Sequence, residues 1–225
     1  MPARAVIFDA YGTLFDVYAL ASTAERFYPG AGTALAQLWR TKQIEYTQLR
    51  TMCCMYKPFW EVTQDALVFS CRKLGLALNI EAQNALMGEY ARLPVFPECE
   101  QVLQQLRTMP LTLAILSNGT TPMLQSALEA AGLRSYFHHV LSADSVQKYK
   151  TAPEVYQMGP DVLGLAARDI LFVSANGWDA CGAGWFGYTT FWVNRQQAPA
   201  EELGVLPQGS GNSLQDVVNF LSSNL

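Results

Sequence analysis

The stretch Ala3-Arg4-Ala5-Val6-Ile7-Phe8-Asp9-Ala10-Tyr11-Gly12-Thr13 runs from a short apolar strand straight into an acid and a glycine-bearing loop. Strand-like runs of the same kind return only much later, at residues 111–116, 139–141, 170–173 and 188–193. Helical patterns lie between them. Val102, Leu103 and Leu106 share one face. So do Met123, Leu124, Ala127, Leu128 and Ala131, and again Val155, Tyr156, Gly159, Val162 and Leu163. Short apolar strands alternating with helices predict an α/β fold with a Rossmann-like parallel sheet covered on both faces. A last helix is expected at residues 214–221, after a Pro-, Gly- and Gln-rich stretch over 196–212.

Between the first strand and the second lie about eighty residues without a strand pattern, far more than the dozen a crossover needs. Phe59, Val62, Thr63, Ala66, Leu67, Ser70 and Leu74 form one helical stripe, and Leu35, Leu38, Trp39, Tyr46 and Leu49 another. The excess predicts an inserted helical domain at 17–95, with the core formed by 1–16 and 96–225. The linkers fall near 15–17 and 92–97, the second holding Pro94 and Pro97. Both join the core at the carboxyl end of the first strand, the edge where open α/β sheets bind ligands. The insert is therefore placed to act as a cap.

Composition narrows the function. Of 225 residues, 50% are hydrophobic and 15% charged, with a net charge of −4 and no basic run. Disorder is excluded, and nucleic acid is not expected as a partner. Five cysteines, an odd number without a C-x-x-C pair, and only two histidines (His138, His139) fit neither a disulfide framework nor a zinc site. Cys53 and Cys54 are read as thiols without a role, and the histidines as loop or strand-edge residues. The N-terminal stretch lacks the long apolar region of a signal peptide, and no apolar run approaches a membrane span. A soluble cytoplasmic protein with no membrane partner is expected.

Polar groups stand at four strand ends: Asp9 with Thr13; Ser117-Asn118-Gly119; Lys150; and Ser174-Ala175-Asn176-Gly177-Trp178-Asp179. Each alone has an ordinary reading. Asp9 could be a loop acid and Ser117 an N-cap, Lys150 a solvated lysine, Thr13 a turn residue. In a parallel sheet, however, these ends converge on one crevice. That convergence favours Asp9 as a carboxylate nucleophile.

These segments, with the cap stretch Leu38-Trp39-Arg40-Thr41-Lys42-Gln43-Ile44-Glu45-Tyr46, resemble the four-motif set of the haloacid dehalogenase superfamily, and within it the L-2-haloacid dehalogenases. The resemblance covers essentially the whole chain. It implies hydrolytic dehalogenation of short (S)-2-haloacids to (R)-2-hydroxyacids, without metal or organic cofactor, with a small-molecule 2-haloalkanoate as partner and a homodimer as assembly. The alternative in the superfamily is a Mg²⁺-dependent small-molecule phosphatase. That chemistry wants a second acid two residues after the nucleophile, to protonate a leaving alcohol; here the position is Tyr11. A departing halide needs no proton. It also wants an acid early in the fourth motif to hold Mg²⁺; here the position is Ala175. A catalytically silent binding module on the same fold would lack at least one of these strand-end groups, and all are present.

The resemblance also implies roles. Asp9 attacks C2 in line and forms an ester, which water then hydrolyses. Lys150 holds Asp9 as the anion and helps bind the substrate carboxylate, as does Ser117 beside a helix N-terminus. Thr13 positions Asp9 or the ester carbonyl. Arg40 receives the halide with Asn118 and Trp178; on pattern alone it could be a snorkelling surface side chain. Ser174, Asn176, Asp179 and Tyr156 orient the ester and the hydrolytic water, with Asp179 and Lys150 both open as acceptors of its proton. Tyr156 could equally be a core tyrosine. Tyr11, Ile44, Phe59 and Trp178 wall the substrate, with Thr41 beside them, although Phe59 also begins the long cap stripe. Thr41, Thr151 and Ala175 depart from the residues common in relatives.

Overall fold

β1 (Ala5–Phe8) is buried along its whole length and lies mid-sheet, which explains why its sequence is uniformly apolar rather than alternating. It pairs in parallel with β2 (Thr112–Ser117) on one side and β4 (Ile170–Ser174) on the other, with Phe8 opposite Ile115 and Val173. β3 (His139–Ser142) extends the β2 side, and β5 (Thr189–Val193) with β6 (Gly209–Gly211) the β4 side. The order among the described residues is β3-β2-β1-β4-β5-β6, all parallel. Chain order reverses direction at β1, so Asp9 leaves the sheet at its switch point. This computed structural model describes residues 3–224. Residues 1, 2 and 225, which the expected core bounds include, lie outside the described residues.

Alternate side chains of β1 feed two apolar clusters, as the period of 2 requires. Val6 and Phe8 join the larger cluster, and Ala5 and Ile7 join the smaller one with Tyr156 and Phe172. The larger cluster continues without a break into the helical segment that follows β1, through Leu35, Trp39, Phe59 and Leu67.

That segment comprises α1 (Leu20–Phe27), α2 (Gly32–Met52), α3 (Phe59–Lys73) and α4 (Ile80–Tyr90). It leaves and returns at one place. Asp16 N donates to Pro94 O at 2.8 Å and Phe96 N donates to Leu14 O at 3.0 Å, a two-rung antiparallel bridge. α5 (Cys99–Arg107), α6 (Thr121–Ala130), α7 (Pro153–Leu163), α8 (Gly177–Phe186) and α9 (Gln215–Asn224) complete the fold.

Two expectations need correction. β6 lies inside the stretch read as irregular; it is three residues with two glycines, paired only with β5, and carries no apolar pattern. The inward face of α2 also differs. Leu35 and Trp39 are buried as expected, but the stripe continues through Gln43 and Thr47, while Tyr46 is half-buried and Leu49 exposed. After Trp39 the buried side chains of α2 are polar, while Tyr46 packs edge-on against Phe69.

Candidate active site

Asp9 is the first residue past β1, its N–H donating to Val173 O at 2.9 Å. The turn after it needs Gly12 at φ +92°, a conformation other residues rarely adopt. Both carboxylate oxygens are engaged. Oδ1 accepts from Lys150 Nζ at 2.9 Å. Oδ2 accepts from Thr13 Oγ1 at 3.0 Å and from Asn176 Nδ2 at 2.9 Å. Thr13 Oγ1 in turn accepts from Ala175 N at 2.9 Å, locking the β1 loop to the β4 loop.

Lys150 is buried and serves two acids, because Asp179 Oδ2 also lies 2.9 Å from its Nζ. Burial alone would lower the lysine pKa, but Asp179 and Asp9 together outweigh it and hold the value above normal. Asp179 is fully buried, and burial raises its pKa against the pull of Lys150, with the Asp9 charge adding to the rise. Tyr156 OH donates to Asp179 Oδ1 at 2.7 Å. Burial, then the Asp179 charge, lifts that phenol well above its usual range, so it stays a donor. Tyr156 is thus both a core tyrosine and a partner of the acid.

The other strand ends close round this group. Ser117 Oγ accepts from Gly119 N at 3.1 Å, and Ser174 Oγ from Asn176 N at 3.1 Å. Asn118 Oδ1 accepts from Lys150 N at 2.9 Å, setting the lysine's backbone. Arg40 comes from α2: its Nη2 donates to Tyr11 O at 3.1 Å and to Asn176 Oδ1 at 3.2 Å.

A cavity of ≈ 20 Å³ lies among Asp9, Tyr11, Arg40, Ile44, Thr47, Phe59, Ser117, Asn118, Asn176 and Trp178. That is room for about one water. A larger cavity of ≈ 490 Å³ lies outside it, and Arg40, Ile44, Asn176 and Trp178 line both. Burial, then the neighbouring Tyr90, holds the Tyr11 phenol well above its ordinary pKa. Its ring is packed against Tyr90 and Phe59, with centroids 5.4 and 5.7 Å away.

Of the residues singled out in the sequence, Thr41 is not brought to the cavity. It is exposed, and its hydroxyl donates to Gln37 O at 2.9 Å on its own helix. Residues 40, 44 and 47 follow one helical face, whereas 41 is rotated about 100° from 40. Thr47 therefore stands where Thr41 was expected.

Comparison with known proteins follows the same lines. A family model described as haloacid dehalogenase-like hydrolase matches residues 3–187. The chain belongs to the haloacid dehalogenase-like hydrolases. This hydrolase is 43% identical to an (S)-2-haloacid dehalogenase of Pseudomonas sp. strain YL, over 98% of this chain and 95% of that one. The crystal structure of the L-2-haloacid dehalogenase RSc1362 superposes with a TM-score of 0.97 at 52% identity, covering 99% and 100% of the two chains. The L-2-haloacid dehalogenase of Xanthobacter autotrophicus, solved with chloropropionic acid covalently bound, gives 0.92 at 35% identity, with the same coverage.

Three features of this haloacid dehalogenase-like hydrolase escaped sequence reasoning. Arg195, just past β5, donates to Gly12 O at 3.2 Å and Thr13 O at 3.1 Å and pairs with Glu98 at 2.9 Å. It is one more polar residue close behind a strand end, which was a usable signal. Gln43 and Tyr90 bond to each other, and Gln43 also bonds to Arg40. Gln43 lies four residues after buried Trp39, at a position on the stripe where an apolar residue is expected. No sequence signal marked Tyr90.

Proposed function

We propose that this chain hydrolyses short (S)-2-haloacids to (R)-2-hydroxyacids with inversion, through an ester on Asp9. One observation carries the reading. Asp9, held by Lys150, Thr13 and Asn176, shares a single small cavity with the Arg40 guanidinium.

An Asp9 carboxylate oxygen attacks C2 as the carbon–halogen bond breaks, and the electron pair leaves with the halide. Arg40, with Asn118 and Trp178 beside it, receives that anion. Ser117 and Lys150 bind the substrate carboxylate, and Tyr11, Ile44, Phe59 and Thr47 wall the alkyl group. Water then adds to the Asp9 acyl carbon, the acyl–oxygen bond breaks, and the hydroxyacid leaves with the former Asp9 oxygen. Asp179, positioned by Tyr156, takes the proton of that water. Lys150 is unsuited to the task, because two carboxylates keep it protonated. Thr13, Ser174 and Asn176 orient the ester.

A magnesium phosphatase reading finds less support. The Asp9 and Asp179 oxygens that would hold a cation both lie 2.9 Å from the Lys150 ammonium, and Ala175 offers no carboxylate. The relatives named above act on haloacids.

The same proposal takes residues 17–95 as a cap domain hinged at the Leu14–Asp16 and Pro94–Phe96 bridge. It takes the protein as cytoplasmic, in keeping with five unpaired cysteines. It takes the assembly as a homodimer, for which exposed Leu49, Met52 and Met55 at the end of α2 offer an apolar face; sedimentation of the purified protein tests that. Among the described residues no helix is long and apolar enough to cross a membrane.

The test is halide release from L- and D-2-chloropropionate by EDTA-treated protein. L-selective release, lost about 10⁴-fold or more in Asp9→Asn, is the expected result. Phosphate ester hydrolysis restored by Mg²⁺, without halide release, overturns the reading.

A further inference from the structure

Gln43 is buried on α2, one turn after Arg40, and its side-chain amide is hydrogen-bonded at both ends. The polarity of these bonds is fixed by chemistry. A guanidinium only donates, so the atom 2.8 Å from Arg40 Nη1 is the amide oxygen, Oε1. Nε2 must then point the other way, where it donates to Thr63 Oγ1 at 2.6 Å and reaches Tyr90 OH at 2.9 Å. Thr63 spends its own proton on Phe59 O at 2.7 Å. The result is a one-way chain, Arg40 to Gln43 to Thr63 to the Phe59 carbonyl, crossing from α2 to α3. Its far end is the backbone of a cavity wall residue. Tyr90 closes the network from α4 and stacks on Tyr11.

A free arginine loses aim through its many rotamers. Here Nη2 is drawn toward Tyr11 O and Asn176 Oδ1, and Nη1 toward Gln43. Two fixed points on different sides define the plane of the group. A fully satisfied buried polar network is stiff, and a half-satisfied one is costly. This explains why α2 turns glutamine inward where its stripe calls for an apolar residue.

We infer that Gln43 is a positioning residue, holding the Arg40 guanidinium in the plane that meets the departing halide, with Thr63 as its anchor. This rests on the proposed function, in which Arg40 receives the halide.

The test compares kcat/KM for L-2-chloro- and L-2-bromopropionate, since kcat/KM reports the displacement step whatever limits turnover. Halide stabilisation matters more for chloride, the poorer leaving group, than for bromide. Gln43→Met keeps the length but removes the acceptor that holds Arg40 Nη1; Thr63→Val removes the anchor. Both are expected to raise the bromide-to-chloride ratio, Gln43→Met by about tenfold and Thr63→Val by less. Where Gln43→Met does not fold, Thr63→Val still reads the chain. A merely structural role lowers both substrates in proportion and leaves the ratio unchanged, which overturns the inference. Arg40→Met separates the two levels. A ratio raised by Arg40→Met but untouched by Gln43→Met and Thr63→Val sinks Gln43 alone. A ratio untouched by Arg40→Met, or wild-type protein that releases no halide, sinks the halide-receiving role and the inference with it.

Discussion

Lys150 Nζ lies 2.9 Å from Asp9 Oδ1, with both side chains buried. Because the same ammonium also lies 2.9 Å from Asp179 Oδ2, one positive charge answers for two acids, one just past β1 and one in the first turn of α8. Lys150→Met is expected to leave both carboxylates buried and unpaired. Breaking a buried pair in this way costs about 3–5 kcal/mol, or roughly 10 °C in Tm for a chain of this size. Thermal unfolding of the variant checks it. A Tm within 2–3 °C of wild type would show that water reaches the two acids.

The raised pKa of Lys150 fixes the sign of its pH dependence. The folded state holds the proton more tightly than the unfolded chain, whose lysine titrates near 10.4. The stabilisation from Lys150 is therefore complete below that pH and lost as pH rises through the folded value. The stability gap between wild type and Lys150→Met should be flat from neutrality to about pH 10 and shrink above it, as denaturant midpoints across that range would show.

Asp179 behaves in the opposite sense for catalysis. Burial raises its pKa, so the form able to accept a proton appears only above the ordinary aspartate value near 3.9. The acid limb of kcat should therefore lie above that value wherever ester hydrolysis limits turnover, and Asp179→Asn should abolish turnover while leaving the first release of halide in place. Stopped-flow halide release with acid-quench detection of the ester separates the two steps. Equal loss of both would place Asp179 with the nucleophile instead.

A methyl group at Gly119 tests the shape of the cavity. An added Cβ would come within 2.7 Å of Tyr11 Cε2 and 3.3 Å of Leu124 Cδ2. Tyr11 has little room to retreat, with Phe15, Phe59 and Tyr90 packed round its ring. Gly119→Ala is expected to push Tyr11 toward the substrate and lower kcat/KM about 10–100-fold, with a stability cost of about 1–3 kcal/mol. A near-normal kcat/KM for 2-chloropropionate would show that Tyr11 does not wall the substrate.

Most of the sheet is legible because its central strands β1 and β4 are fully buried and so almost uniformly apolar. The polar groups are legible because a parallel sheet brings its carboxyl ends together, which places Asp9, Ser117, Lys150 and Asp179 in one region. What stayed hidden has a common physical cause. Gln43 and Thr47 occupy inward positions of α2 that apolar periodicity does not predict, since their burial is compensated by hydrogen bonds rather than by hydrophobic transfer. β6 owes its existence to pairing with β5 alone. Thr41 follows Arg40 directly in the chain, and one residue of helical rotation is enough to turn it outward.

Arg195 offers the last test, because it braces the nucleophile loop without touching the cavity round Asp9. Its guanidinium stacks 3.6 Å over the Phe96 ring, pairs with Glu98, and donates to the carbonyls of Gly12 and Thr13. It therefore ties β5 to the loop that carries Asp9 and to the return linker of the helical segment. Burial works against the Glu98 charge, yet hydrogen bonds, that from Arg195 foremost, hold its pKa below normal. The contacts depend on a planar fork, which lysine lacks. Arg195→Lys should keep the charge but free one or both carbonyls, lowering kcat several-fold with KM little changed. Arg195→Met should add a stability loss of about 1–3 kcal/mol from the unpaired partners. Kinetics of both variants beside their unfolding curves decide the matter. A kcat equal to wild type in Arg195→Met would mean that Thr13 and Asn176 hold Asp9 without help from β5.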